Sequence, residues 1–197
     1  MKRKGIWAGI ALIVLILAVG GVGWFQHQFG SAGSGNELQG GPIELPSTHG
    51  DFSLERLGEE ELAVVFFGYT HCPDVCPMSM AVIRQALADL EADQRERVVP
   101  LMISVDPERD TVERLAEYTD FFGDDFIGAT GSQAQLEEIA ERYGVVWRKV
   151  EAPDSAMEYT VDHSSSLYLV DREGEILRRV LYSPAPHSLS AALQEVL

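Results

Sequence analysis

The 197-residue sequence has few basic residues, and this scarcity narrows the classes of partner that the protein can bind. It contains 15 Lys and Arg against 31 Asp and Glu, a formal net charge of −16 at pH 7. A nucleic-acid-binding surface needs an excess of Lys and Arg to neutralise phosphates. We therefore expect no nucleic acid as a partner and favour cations and basic proteins.

The sequence has no internal repeat, so a solenoid or a propeller is excluded.

Cysteine is also scarce. The 2 cysteines of the sequence are Cys72 and Cys76. Two cysteines cannot build the multi-disulfide framework of a small secreted scaffold. A disulfide that closes so small a loop would also remove little entropy from the unfolded chain. The pair therefore indicates a local chemical site, and the alternative is a pair of inert buried thiols or an inert disulfide.

A long uncharged apolar run lies near the amino terminus, over residues 6–25. A helix of about 20 apolar residues spans a hydrocarbon core of ~30 Å. Lys2, Arg3 and Lys4 precede the run, so the positive-inside rule predicts that residues 1–5 are cytoplasmic. We predict a single transmembrane anchor in a bacterial inner membrane, with the carboxyl-terminal domain on the periplasmic side. A cleaved signal peptide is the alternative, although its apolar region is typically about 7–15 residues.

The rest of the sequence predicts a linker followed by one α/β domain. Residues 26–41 are rich in Gly, Ser and polar residues, which is typical of a flexible tether. The domain then covers residues 42–197. Apolar runs over residues 62–67 and 98–105 predict parallel strands that are covered on both faces. Apolar residues at helical spacing over residues 78–90 complete a βαβ unit between them.

The downstream pattern alternates helices and short strands. Asp110 is predicted to cap the next helix, with Glu113 as its capping-box partner and Gly123 as its end. Residues 145–159 show no regular pattern. The other elements predicted from periodicity and turn residues are a strand over 126–129, a helix over 132–143 that ends at Gly144, an antiparallel hairpin of 166–170 and 176–181, and a helix over 187–197.

Both cysteines lie in the segment GYTHCPDVCP, which follows the first predicted core strand. Sites in open α/β sheets usually form at the carboxyl ends of strands. Pro77 suits the first position of a helix, which would place Cys76 at or beside the N-cap. The helix dipole favours a thiolate there. Two such sulfurs could chelate a soft metal ion or be oxidised together to a disulfide.

Two sulfurs rarely complete a metal site, so we looked for a third donor among the 5 histidines. His71 adjoins Cys72, but neighbouring side chains on an extended loop usually point apart. His163 directly precedes a predicted hairpin strand that can lie beside the first core strand, and it is the better candidate. The other three fall in the tether, in a polar turn and at the start of the last helix: His27, His49 and His187.

Three motifs in the same order give the sequence a family resemblance. GYTHCPDVCP, ISVDPERDT and VDHSSSLYLVD resemble motifs of the SCO/SenC family of cytochrome oxidase assembly proteins, and the resemblance covers roughly residues 42–197. It implies a thioredoxin-like fold, a central mixed sheet flanked by helices. It also implies a copper site formed by Cys72, Cys76 and His163, for Cu(I) and with Cu(II) left open.

The resemblance implies delivery of copper, or of electrons for the receiving cysteines, and we favour a copper chaperone over an enzyme. Such a protein would support assembly of the binuclear copper centre of cytochrome c oxidase, with the copper-receiving subunit as its partner. Other copper chaperones or thiol reductases are further expected partners. A scaffold or copper-responsive sensor would keep the same ligands but use them to change partner binding.

The alternative class is a thiol–disulfide oxidoreductase, in which Cys72 and Cys76 are a redox-active pair. Its substrates would be the copper-ligand cysteines of the oxidase or other extracytoplasmic thiols. Thioredoxin-type oxidoreductases have a cis-proline just before the hairpin strand, whereas this sequence has Asp162 to Ser166 without a proline. His163 therefore discriminates between the two classes.

The sequence does not decide whether the acidic residues near these motifs contribute to the site. Asp106 follows the second core strand and either buttresses the site or its docking surface or caps the turn before Pro107. Asp74 and Asp162 could raise the local affinity for a cation without contacting it, and we leave both outside the predicted site.

Overall fold

A mixed seven-stranded sheet and a separate two-stranded sheet organise the residues that the structure, a computed structural model, describes: 38–153 and 157–197. The strands are β1 (Glu44–Ser47), β2 (Gly50–Ser53), β3 (Leu62–Gly68), β4 (Val98–Ser104), β5 (Ile127–Ala129), β6 (Trp147–Glu151), β7 (Tyr159–His163), β8 (Leu167–Val170) and β9 (Ile176–Val180).

The order of strands in the large sheet places the carboxyl ends of the core strands at one edge. The order is β2-β1-β5-β4-β3-β8-β9, with β3, β4 and β5 parallel and β8 antiparallel to β3. The strands predicted over residues 62–67 and 98–105 are confirmed as β3 and β4. Every residue of β3 is buried, as expected for a strand covered on both faces.

Helices cover the sheet: α1 (Val75–Ala88), α2 (Ala92–Arg95), α3 (Val112–Thr119), α4 (Gln133–Tyr143) and α5 (His187–Val196). The prediction for α4 is confirmed, because Ser132 and Gln135 form a capping box and Gly144 ends the helix in the left-handed conformation, at φ 61°. The helix predicted over residues 187–197 is also confirmed as α5.

Two predicted helix starts are wrong. Thr111, not Asp110, caps α3, because its hydroxyl accepts a hydrogen bond from the Arg114 N–H at 3.2 Å. This helix also ends at Thr119, before Gly123. At α1 the N-cap is Asp74, so the helix begins two residues earlier than Pro77 predicted. Pro77 is tolerated because N–H groups of the first turn have no intrahelical partner.

Two β-hairpins were absent from the sequence prediction. In the first, β1 and β2 pair around a turn in which Gly50 has φ 89°. In the second, β6 lies in the segment that showed no regular pattern and pairs with β7, which begins where that segment ends. The register of this second hairpin places Trp147 opposite His163. The hairpin therefore carries the third candidate ligand at the end of its second strand.

The chain upstream of the predicted domain boundary is described only from residue 38. Within the described residues no helix is both long and apolar enough to cross a membrane. The cytoplasmic segment predicted over residues 1–5 and the span predicted over 6–25 lie outside that part of the chain. The end of the predicted linker contacts the domain, because the N–H of Gly41 donates to the carbonyl of Gly174 at 2.8 Å.

Candidate metal centre

The structure brings the three predicted ligands together. Cys72 lies on the loop after β3, Cys76 lies in the first turn of α1, and His163 is the last residue of β7. One potential ligand atom from each, two sulfurs and an imidazole nitrogen, lie within 4.8 Å of one another. Cys76 Sγ lies 3.3 Å from His163 Nε2. The three residues therefore form a compact group of one nitrogen and two sulfur donors.

The two thiols have different environments. Cys76 is fully buried, whereas Cys72 is half-buried. A hydrogen bond from Cys76 holds the pKa of Cys72 well below the ordinary value of a thiol, although partial burial acts in the opposite direction. The same bond with Cys72, together with burial, raises the pKa of Cys76. The reduced pair therefore carries a thiolate at Cys72 and a thiol at Cys76.

The imidazole of His163 is oriented by its neighbours. Its Nδ1 lies 3.0 Å from the carbonyl oxygen of Ser164, to which an Nδ1–H donates. This tautomer leaves a lone pair on Nε2, the nitrogen that faces the sulfurs. Phe66 and Tyr69 pack edge-on against the ring, with centroid distances of 6.0 and 5.8 Å. The ring is therefore held in an orientation that suits a metal ligand.

The start of the cysteine loop leaves no room for a side chain at Gly68. A Cβ there would lie 2.6 Å from the ring of Phe66 and 3.0 Å from Cys76 Sγ. The next residue, Tyr69, is buried, its carbonyl accepts a hydrogen bond from the Cys72 N–H at 3.3 Å, and its ring packs against His163. Burial raises the pKa of its hydroxyl. Tyr69 thus joins the cysteine loop to the strand that carries the histidine.

The carboxylate of Asp110 holds the cysteine loop in place through hydrogen bonds. This carboxylate is 1% exposed. It accepts hydrogen bonds from the Thr70 N–H at 2.9 Å, the Thr70 hydroxyl at 2.7 Å and the Ser104 hydroxyl at 2.6 Å. The side chain that the sequence predicted as a helix cap therefore pins the loop after β3 to the end of β4.

Asp106 takes part in a turn through its backbone and in a side-chain network through its carboxylate. Its carbonyl accepts the N–H of Arg109 in a turn, at 3.2 Å. Its carboxylate accepts hydrogen bonds from Arg109 Nε at 2.6 Å and from the Tyr159 hydroxyl at 2.8 Å. Since Tyr159 begins β7, the carboxylate helps to support the strand that carries His163. Asp106 itself does not belong to the donor group.

Within the described residues, the other histidines and the nearby acids do not belong to the donor group. His71 Nδ1 lies 3.1 Å from the Thr70 hydroxyl and 3.7 Å from the Asp110 carboxylate. Asp74 is exposed, and Asp162 forms a surface ion pair with Arg148 at 2.8 Å. The remaining histidines are placed in the β1–β2 turn, at the start of α5 and outside the described residues: His49, His187 and His27.

Sequence reasoning missed Tyr69, Arg109 and Asp110 as supporting residues. The charged residues stand in a dense group immediately after a buried strand, where side chains of an α/β sheet gather around a site. That position is the signal that could have identified them. Tyr69 offers a weaker signal, because a tyrosine beside a core strand is more often a core residue.

Comparison with known proteins identifies the family. The sequence model of SCO1/SenC matches residues 31–197. The chain belongs to the SCO1/SenC family. The SCO2-like protein of Rickettsia prowazekii is 35% identical over 140 residues, which are 71% of this chain and 67% of that protein. The family resemblance expected from the three motifs is therefore confirmed.

Solved structures of relatives share the fold. The crystal structure of Arabidopsis thaliana ScoI with copper bound superposes with a TM-score of 0.70 at 34% identity, over 80% of this chain and 97% of that one. BsSco, a member of the Sco family of cytochrome c oxidase assembly proteins with a disulfide switch, gives 0.61 at 26% identity, over 82% and 92%. The predicted thioredoxin-like α/β fold with a central mixed sheet is confirmed.

Proposed function

We propose that this protein is a membrane-anchored copper chaperone that binds copper through Cys72, Cys76 and His163. It would support assembly of the binuclear copper centre of cytochrome c oxidase. The observation that carries the proposal is the approach of two sulfurs and one imidazole nitrogen to within 4.8 Å. Membership of the SCO1/SenC family and a copper-bound relative support it.

The donor set suits Cu(I). Thiolates are soft ligands that select Cu(I), and an imidazole nitrogen is a good further donor. Cys72 already carries the thiolate, while Cys76 has to lose its proton when the metal binds. Copper binding therefore releases a proton and becomes weaker as the pH falls. His163 can also serve Cu(II), for which imidazole is a suitable ligand.

The half-buried position of Cys72 supports transfer of the metal rather than permanent storage. An incoming thiolate of the acceptor can approach the copper from the exposed side and replace one ligand at a time. Cu(I) then passes between thiolates without a change of oxidation state. The copper-receiving subunit of the oxidase is the proposed acceptor, and other copper chaperones or thiol reductases would load or reduce the site.

The proposed topology places the site outside the cytoplasm. Residues 1–5 would be cytoplasmic, residues 6–25 would span the bacterial inner membrane, and residues 26–41 would tether the domain of residues 42–197 on the periplasmic side. The apolar run and its flanking basic residues support this arrangement. It would bring the copper site to the membrane face on which the oxidase receives its metal.

A second candidate function is thiol–disulfide exchange. The thiolate at Cys72 favours it, because a thiolate is the attacking species in such reactions. Cys72 would attack an acceptor disulfide and release one thiolate. Cys76 would then lose its proton and attack the mixed disulfide, which releases the second acceptor thiol and leaves a Cys72–Cys76 disulfide. Two electrons pass to the acceptor.

A Cu(I) titration of the reduced full chain in detergent micelles, against a chromogenic competitor, tests the copper proposal. We expect one Cu(I) per chain and a large loss of affinity in Cys72→Ser, Cys76→Ser and His163→Ala. His49→Ala is the matched control, because His49 lies in the β1–β2 turn. Binding that is unchanged in all three ligand variants would refute the site. Disulfide exchange without copper binding would favour the oxidoreductase.

A further inference from the structure

The strand that carries His163 lies outside the main sheet. Within the described residues β6 and β7 pair with each other, and neither joins the seven-stranded sheet. A two-stranded hairpin is marginally stable by itself in water. The position of His163 relative to the sulfurs therefore depends on contacts that dock this hairpin onto the rest of the domain.

Arg109 makes a concentrated set of such contacts with the start of β7. Its Nη1 donates to the carbonyls of Met157 and Tyr159, each at 3.1 Å. Its Nε donates to Asp106 at 2.6 Å. The guanidinium carbon lies 3.5 Å from the ring centroid of Tyr159. One side chain thus binds two backbone carbonyls, a carboxylate and an aromatic ring.

These contacts lie in a largely buried environment, where they count for more than surface ion pairs. The Arg109 and Asp106 side chains are 17% and 4% exposed. Lys149 also links the hairpin to the loop after β4 through Glu108, but these side chains are 41% and 67% exposed. Exposed pairs of this kind contribute little to stability, because water screens their charges. Arg109 is therefore the stronger attachment of the two.

The network also reaches the histidine itself. The guanidinium carbon of Arg109 lies 5.8 Å from the ring centroid of Tyr69, and the Tyr69 ring packs edge-on against His163. Arg109 thus contacts both the first residue of the strand and the tyrosine that packs on its last residue.

We propose that Arg109 is a positioning residue of the metal centre, which docks the β6–β7 hairpin and thereby sets the distance of His163 from the two sulfurs. This inference rests on the copper site proposed above. The planar guanidinium can bind a carboxylate and two carbonyls at once, because its five N–H donors point in fixed directions. A lysine ammonium at the same position keeps the charge but cannot reproduce that arrangement.

Two variants of the full chain in detergent micelles test the proposal. Arg109→Lys keeps the charge, and the double variant Arg109→Met with Asp106→Asn removes the arginine without leaving a buried carboxylate unpaired. We expect the Cu(I) affinity of each to fall about 10- to 100-fold, the range for residues that orient metal ligands. In the metal-free protein we expect faster hydrogen exchange at the amides of β7.

Leu54→Ala is the matched control for a general loss of stability. Leu54 is fully buried beside β2, at the edge of the large sheet. We expect it to lower the unfolding temperature without changing the Cu(I) affinity. If Leu54→Ala weakens copper binding as much as the Arg109 variants do, the effect is one of stability and the positioning role is refuted.

The outcomes separate this inference from the proposed function. Wild-type affinity and wild-type exchange at β7 in both Arg109 variants, together with loss of copper binding in His163→Ala, would overturn only the positioning role. Copper binding that does not need His163 would overturn the proposed function. In that case hydrogen exchange at β7 still decides whether Arg109 docks the hairpin.

Discussion

Removal of the Asp110 carboxylate should destabilise the domain strongly and weaken copper binding with it. The carboxylate is buried and accepts three hydrogen bonds, from the N–H and hydroxyl of Thr70 and from the hydroxyl of Ser104. Asp110→Ala leaves all three donors inside the protein without an acceptor. Asp110→Asn keeps one oxygen in nearly the same place and therefore leaves part of the set satisfied.

The expected magnitudes follow from the hydrogen bonds. A hydrogen bond to a charged group contributes about 1.5–3 kcal/mol, and a stranded buried donor costs about 1–3 kcal/mol. The terms overlap, because the three donors share one carboxylate and water can enter the space that alanine leaves. We expect a loss of about 3–5 kcal/mol in the free energy of unfolding for Asp110→Ala and about 1–2 kcal/mol for Asp110→Asn.

Urea unfolding of the reduced chain from Leu38 onward, which is one compact unit, measures these losses. Asp162→Ala is the control, because its ion pair with Arg148 is exposed and should contribute no more than about 1 kcal/mol. Since Thr70 lies two residues before Cys72, we also expect a Cu(I) affinity about tenfold weaker in Asp110→Ala. A loss below about 1 kcal/mol in Asp110→Ala would refute the role given to this carboxylate.

Two further predictions concern the thiols. In the reduced metal-free protein, the rate of Cys72 alkylation by iodoacetamide should stay constant from about pH 5 to about pH 8, because its pKa is lowered and the thiolate is already formed. The alkylation rate of an ordinary thiol would rise about tenfold with each pH unit below its pKa. Such a rise at Cys72 would contradict the prediction. Gly68→Ala should destabilise the domain by about 1–3 kcal/mol in urea unfolding and weaken Cu(I) binding, since its Cβ crowds Phe66 and Cys76. Wild-type stability and wild-type Cu(I) affinity in Gly68→Ala would contradict this prediction, because they would show that the loop adjusts to the added Cβ.

The elements that were predicted correctly are those whose pattern is local. β3 is a continuous apolar run, and α4 has a capping box at one end and a glycine at the other. The missed hairpins lack such a pattern. β6 reads WRKVE and has no buried residue, so it is defined by its pairing with β7 rather than by its own burial. Pairing of this kind depends on residues that are distant in the sequence.

The role of Asp110 as a supporting residue of the site was missed for a similar reason. The spacing of Asp110 and Glu113 fits a capping box, which is why the sequence predicted Asp110 as the cap of α3. The structure uses Thr111 because Thr70, 40 residues away, and Ser104 both bond to Asp110. A contact over that separation has no trace in the local sequence. The cysteines were found because a close pair of thiols indicates local chemistry, and His163 was found because it precedes the predicted hairpin strand in a motif that resembles the SCO/SenC family.

The three donor residues come from two separate parts of the fold, and this arrangement relates the two candidate functions to each other. Both sulfurs lie on the β3–α1 connection, whereas the nitrogen lies on a hairpin with separate attachments. A copper ion bound by all three residues would stabilise the docked hairpin, because a ligand shifts a conformational equilibrium by its difference in affinity for the two states. Displacement of the hairpin would instead leave two sulfurs without a third donor, which favours exchange with an acceptor disulfide, and so a Cys72–Cys76 disulfide, over metal binding. The contacts that hold the hairpin would therefore influence which chemistry the cysteine pair performs. On this argument, variants that loosen the hairpin should lose copper affinity while they keep the ability to form the disulfide.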